Sequence, residues 1–147
     1  MSAIKERLVS DVKVAMKAKD KDLVGTLRLI TSAVKQVEVD TRTELTDIDV
    51  LGILTKMVKQ RQDSLTIFAN ANRKDLADKE QYELNVISRY LPKQMTEAEI
   101  VDLVAEKIIE LDVKSAKDMG RLMAALKPLV AGKADMSIVS KIVKQKI

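Results

Sequence analysis

From Val50 onward, Val50, Leu54, Met57, Val58, Leu65 and Phe68 recur at helical spacing, which places side chains on one helix face. A helix so striped is stable only when that face is buried against other elements. Arg61 occupies one of the slots in the stripe, and Glu80 does the same between Leu76 and Leu84 on the next periodic segment. With the polar run Asn70-Ala71-Asn72 as a turn, the two charges fall at similar heights on antiparallel helices and are expected to pair. Such a pair is either a half-buried ion pair setting the register of two helices or part of a polar binding site. A carboxylate beside an arginine has its ionised form stabilised, which suits an anchor better than a general acid.

The rest of the chain supports the same class of structure. Only 4 glycines and 2 prolines interrupt 147 residues, 33% are charged and 2% aromatic, a balance that favours long amphipathic helices, and no segment reads as a convincing strand. There is no cysteine and no histidine, so disulfides, thiolate metal sites, cysteine nucleophiles and imidazole bases are excluded. Serine and cysteine triads that depend on an imidazole go with them. Asp47, Asp49 and Asp63 are spaced as caps and a solvated helix face rather than as a magnesium site, so neither metal nor cofactor is expected. The four glycines are scattered, which gives no support for a phosphate-cradling loop. The N-terminus lacks the apolar core of a signal peptide and no apolar run approaches the roughly 20 residues that cross a bilayer, so a cytosolic protein without a membrane partner is expected. A net charge of +4, evenly spread, permits an anionic partner without demanding one.

Periodicity divides the chain into two groups of helices. Ile4, Leu8, Val12, Ala15 and Met16 mark a first helix ending in Lys17-Ala18-Lys19-Asp20-Lys21, and Leu23, Leu27, Ile30, Val34 and Val37 a second, capped by Asp20 or Asp22. Thr46 with Asp49 forms a capping box for the third, and a fourth spans about Lys74 to Tyr90. Pro92 forces its predecessor out of helical geometry, and Thr96 with Glu99 opens a new helix carrying Ile100, Val101, Val104, Ile108 and Leu111. Ser115 with Asp118 opens the next, with Met119, Leu122, Met123 and Leu126 ahead of Pro128, and Asp135 caps a last one with Ile138, Val139, Ile142 and Val143 facing inward. The expected architecture is all-α: an N-terminal four-helix domain over residues 1–91 and a small three-helix C-terminal domain over 96–147.

Lys56-Met57-Val58-Lys59-Gln60-Arg61-Gln62-Asp63-Ser64, then Asp75-Leu76-Ala77-Asp78-Lys79-Glu80, the Tyr90-Leu91-Pro92 joint, Lys117-Asp118-Met119-Gly120 and Gly132-Lys133-Ala134-Asp135-Met136 follow one another in order. With Ala15-Met16-Lys17-Ala18-Lys19-Asp20-Lys21 and Leu27-Arg28-Leu29-Ile30, they make a pattern covering essentially the whole chain. It resembles the GatB/YqeY family, in the form of a stand-alone YqeY-type protein. The resemblance implies a helical N-terminal domain and a smaller C-terminal one similar to the tail of the GatB component of glutamyl-tRNA amidotransferase, a module that contacts tRNA. By family it also implies a carbon–nitrogen ligase with glutamine as amide donor. The chain offers no ATP site, glutaminase machinery or activated nucleophile of its own, so the expectation is a tRNA-binding or tRNA-amidotransferase-related accessory protein that binds tRNA or a tRNA-linked complex. Amidotransfer with a partner protein, and a helical protein-interaction module unrelated to RNA, are the alternatives.

On that resemblance the tail motif carries Lys117, Gly120, Gly132 and Lys133 as RNA-binding candidates, with Arg121 one turn beyond Lys117. The cations would meet phosphates, and Gly132 would let backbone approach closely. Lys127, beside Pro128, is a weaker candidate. The bland reading has Gly120 in a tight helix packing, Gly132 in a turn and the lysines solvated. In the N-terminal half Lys56, Lys59, Gln60 and Asp63 line one face beside Arg61 and Ser64, with Glu80 opposite, and Arg28 and Lys35 could extend that patch. Phe68, Tyr82 and Tyr90 are the only rings, so a structured RNA read through its shape and backbone is a better target than stacked single strands.

Overall fold

A computed structural model describes residues 2–147. Among these residues it contains seven α-helices, one 3-10 turn and no strand. The contacts divide into two compact units, Met1–Leu91 and Pro92–Ile147.

The first unit is built from α1 (Ala3–Lys17), α2 (Lys21–Thr41), α3 (Asp47–Asn70) and α4 (Lys74–Ser88). Side chains at the helix starts take up backbone donors that the helices leave free: Ser2 accepts from Lys5 N, Asp20 from Leu23 N, and Thr46 and Asp49 form the reciprocal box of α3. The helices end without glycine. Lys19, Arg42 and Asn72 turn the chain with φ of 57°, 54° and 57°. This left-handed conformation costs roughly 1 kcal/mol for a residue with a Cβ, so packing beyond each turn must hold it. That packing is the core of Leu8, Leu27, Ile30, Val34, Val50, Leu54, Val86 and Ile87, all essentially inaccessible to water. Lys5 Nζ bonds Glu38 Oε1 at 2.7 Å, while Ser2 Oγ and Ile4 N donate to Asp47, so the start of α1 is tied to α2 and to the start of α3.

The second unit comprises α5 (Glu97–Glu110), the 3-10 turn Ala116–Asp118, α6 (Met119–Val130) and α7 (Met136–Lys146) around Val104, Leu122, Leu126, Val130, Val139 and Val143. Thr96 with Glu99 boxes the start of α5, and Asp135 caps α7 by accepting from Ser137 N.

Several expected details are corrected. Ser115 caps the 3-10 turn, not an α-helix, and Asp118 Oδ2 turns back to accept from Lys114 N at 3.1 Å. α6 carries Pro128 inside it and ends at Val130. Burial of Leu126 and Val130 on one face holds that last turn despite the missing donor. Met16 and Ile138 point outward, 51% and 43% exposed. Each follows or precedes a buried residue, Ala15 or Val139, and one step along a helix rotates a side chain by about 100°.

Candidate functional site

The charged side chain in the α3 stripe is buried with a partner. Arg61 Nε lies 3.6 Å from Glu83 Oε2, with side-chain exposures of 15% and 9%. Arg61 Nη1 also donates to Met57 O at 3.4 Å, while its buried Nε has no hydrogen-bond acceptor among the described residues. The expected partner, Glu80, is thus corrected to Glu83, one turn farther along α4. The hairpin pivots on Asn72, whose positive φ places the turn beyond Ala71, the C-cap of α3. Arg61 and Glu83 stand equally far along the chain from Asn72, whereas Glu80 falls short and is half-buried.

The other members of the N-terminal patch are placed on two surfaces. Lys56, Lys59 and Gln60 are exposed on α3, with Ser64 half-buried beside them. Arg28 and Lys35 are exposed on α2. Arg28 turns towards the end of α1, where its Nη2 reaches Met16 Sδ at 3.7 Å. It lines a cleft there with Lys19, Lys21 and Val24, so it does not extend the α3 face.

One cluster was not foreseen from the sequence. Tyr90 is buried and its hydroxyl donates to Asp11 Oδ2. Arg7 covers the ring at 4.5 Å from its centroid, lies 3.9 Å from Asp11 and donates to Arg89 O at 3.3 Å. Burial and the neighbouring Asp11 carboxylate hold the phenol neutral far above its ordinary range. The sequence carries half the signal, Arg7 and Asp11 one turn apart on α1. Nothing in it joins them to a tyrosine near Pro92.

In the second unit the candidates lie at opposite ends of α6. Lys117 and Arg121 are exposed around its start, where Arg121 Nη2 pairs with Asp118 Oδ1 at 3.4 Å. Gly132 and Lys133 follow its end, roughly 18 Å away at 1.5 Å per residue, and Lys127 is exposed near that end. Gly132 takes φ 72°, the conformation that glycine adopts most cheaply. Its carbonyl accepts from Gln94 Nε2 at 2.6 Å, and Lys133 O accepts from Met95 N at 2.8 Å, which pins this turn to the segment entering α5. Lys93 and Lys133 thereby stand at a cleft of about 580 Å³ with Met95, Leu103 and Leu129 in its lining. Gly120 has open space where a Cβ would be, so the expected tight packing at that position is corrected.

The sequence pattern of the Yqey-like protein family (YqeY) matches residues 5–147. The chain belongs to this family. Similar proteins include "Altered inheritance of mitochondria protein 41, mitochondrial" of Vanderwaltozyma polyspora, 36% identical over 104 residues, 69% of this chain and 56% of the relative. The protein of the same name from Pyrenophora tritici-repentis is 30% identical over 142 residues, 95% of this chain and 78% of the relative. That of Lachancea thermotolerans is 35% identical over 107 residues, 71% and 57% respectively. For two of these three, the match spans little more than half the relative's length. The names correct the expectation of a cytosolic protein, since these relatives are mitochondrial proteins and a missing signal-peptide core does not place a chain in the cytosol.

With neither histidine nor cysteine, this YqeY family member has no imidazole or thiolate with which to activate a nucleophile. Its C-terminal unit exposes Lys117, Arg121, Lys127 and Lys133, and the turn that carries Lys133 is the one braced by Gln94 and Met95.

Proposed function

We propose that the protein binds tRNA, or a complex that carries tRNA, and acts as an accessory factor without a catalytic site of its own. In this reading the two units are an N-terminal four-helix domain and a small three-helix C-terminal domain, and the second makes the RNA contact. The observation that carries it is the braced Gly132–Lys133 turn. Two backbone-directed bonds, from Gln94 to Gly132 O and from Met95 to Lys133 O, fix where Lys133 leaves the surface, and Lys93 stands at the same cleft. A lysine on a rigid base loses less freedom when it meets a phosphate than one on a loose loop. Lys117, exposed at the other end of α6, supplies a second point of contact far enough away to follow a folded RNA backbone.

Fluorescence anisotropy with bulk tRNA and length-matched duplex DNA, each titrated across salt, tests the reading. Selective binding of tRNA is expected, with a steep salt slope that falls by about two when Lys117→Ala and Lys133→Ala are combined. Equal, weak binding of both polymers, or a slope untouched by the double variant, refutes it.

A further inference from the structure

A second surface lies wholly within the first unit and owes nothing to the RNA reading. At the corner where α1 hands over to α2, a cleft of about 490 Å³ is lined by Met16, Lys19, Lys21, Val24, Gly25 and Arg28. Among the described residues the lining holds three cations and no carboxylate. It shares Lys21 and Gly25 with a neighbouring cleft of about 630 Å³ between α2 and α4, so the two make one groove. The second cleft presents Leu29 and Tyr82, and its lysines are offset by Asp22 and Asp78, while its Glu83 is already paired with Arg61.

Two features of this groove have no account within the unit itself. Met16, Leu29 and Tyr82 are large side chains left 51%, 46% and 36% exposed along it. Apolar side chains gathered in one concave surface mark a contact more often than scattered ones do, and methionine and tyrosine are enriched in such contacts. Gly25 is the other. It lies inside α2, where alanine would be the better helix former, and a Cβ placed on it would meet nothing within 4 Å. No internal neighbour requires glycine there. Bare backbone at the meeting point of two clefts lets an incoming helix approach closely.

We propose that this groove docks an acidic amphipathic helix of a partner protein. Its apolar stripe would lie over Met16, Val24, Leu29 and Tyr82, crossing α2 at Gly25, and its carboxylates would face Lys19, Lys21 and Arg28. Helix-in-groove recognition supplies affinity through the stripe, and the cationic end supplies the choice of partner. A nucleic acid backbone would satisfy the three cations but leave the exposed methionine and leucine facing water, so a protein fits this surface better.

The test uses the full chain, isotope-labelled for NMR, and three probes: a synthetic helical peptide with a leucine stripe flanked by glutamates, the same stripe flanked by lysines, and an RNA hairpin. The glutamate peptide is expected to bind at least about tenfold more tightly than the lysine peptide and to move the amides of Val24, Gly25, Leu29 and Tyr82. Lys21→Glu combined with Arg28→Glu should weaken it about tenfold or more. Gly25→Leu, which has room for its side chain and favours the helix, should melt no lower than the parent yet lose the peptide. Equal affinity for the two peptides, retained binding by Gly25→Leu, or movement of these amides by RNA alone overturns the proposal.

Discussion

Replacing Glu83 by leucine should cost the protein about 3 kcal/mol, although it removes a single charged contact. At the observed 3.6 Å between Arg61 Nε and Glu83 Oε2, the attraction is about 5 kcal/mol at an effective dielectric near 20. Most of that offsets the loss of water around two side chains that are 15% and 9% exposed, so the net value of the pair is small. Removing one member reverses the balance. Arg61 would remain buried as an uncompensated cation, keeping its hydrogen bond to Met57 O, and such losses run to about 3–5 kcal/mol. The lower end applies because the geometry is loose and Arg61 keeps some contact with water. Replacing both, as Arg61→Met with Glu83→Leu, should return stability to within about 1 kcal/mol of the parent. The assay is a double-mutant cycle by urea denaturation, with each single variant expected to lower the midpoint by roughly 2 M at a slope near 1.5 kcal/mol per molar and, with the double variant near the parent, a coupling energy of about 5 kcal/mol. Glu80→Ala, at the position the sequence alone favours, should change stability by no more than about 0.5 kcal/mol. Additive single variants, or a Glu80 effect as large as that of Glu83, would refute the argument.

Tyr90→Phe should cost about 1–2 kcal/mol through loss of the hydroxyl's bond to the Asp11 carboxylate, measured by thermal or urea unfolding. Because folding raises the Tyr90 pKa, the stability linked to it is full below the phenol's ordinary value of 10.0 and falls as pH rises above it, so the variant should lose part of this alkaline sensitivity. Left-handed positions make a pair of opposite sign. Gly132→Ala, at φ 72°, should destabilise by about 1 kcal/mol, whereas Arg42→Gly, at φ 54°, should stabilise by up to about 1 kcal/mol, both read from denaturation midpoints. Towards acid, hydrogen bonds from Lys5, Ser2 and Thr96 respectively hold Glu38, Asp47 and Glu99 below their ordinary pKa values of 4.5, 3.8 and 4.5. Their contribution is therefore complete above those values and is lost as pH falls through the lowered ones. A pH series of melting temperatures should show the decline starting near pH 4.5, and shallower in Glu38→Gln.

The helical class and most helix starts were legible in the residues because both depend on neighbours a few positions apart. Thr46 with Asp49 and Thr96 with Glu99 each satisfy backbone donors three residues away, and the stripes through Leu27, Ile30 and Val34 or Ile100 and Val104 follow from helical pitch alone. Lys117 and Lys133 were named only through the family resemblance, and neither the length of α6 that separates them nor the bond from Gln94 that braces the Gly132–Lys133 turn could be read with them. Contacts between residues distant in sequence were decided only by tertiary packing. Whether Arg61 meets Glu80 or Glu83 turns on which residue of the hairpin takes a positive φ, and a shift of the pivot by one residue moves the facing partner by two. Whether Tyr90 meets Asp11 depends on the packed unit bringing the end of the fourth helix to the first. Periodicity fixes which way a side chain points from its own helix. What it meets there is set by the summed packing of the others, and no local rule contains that information.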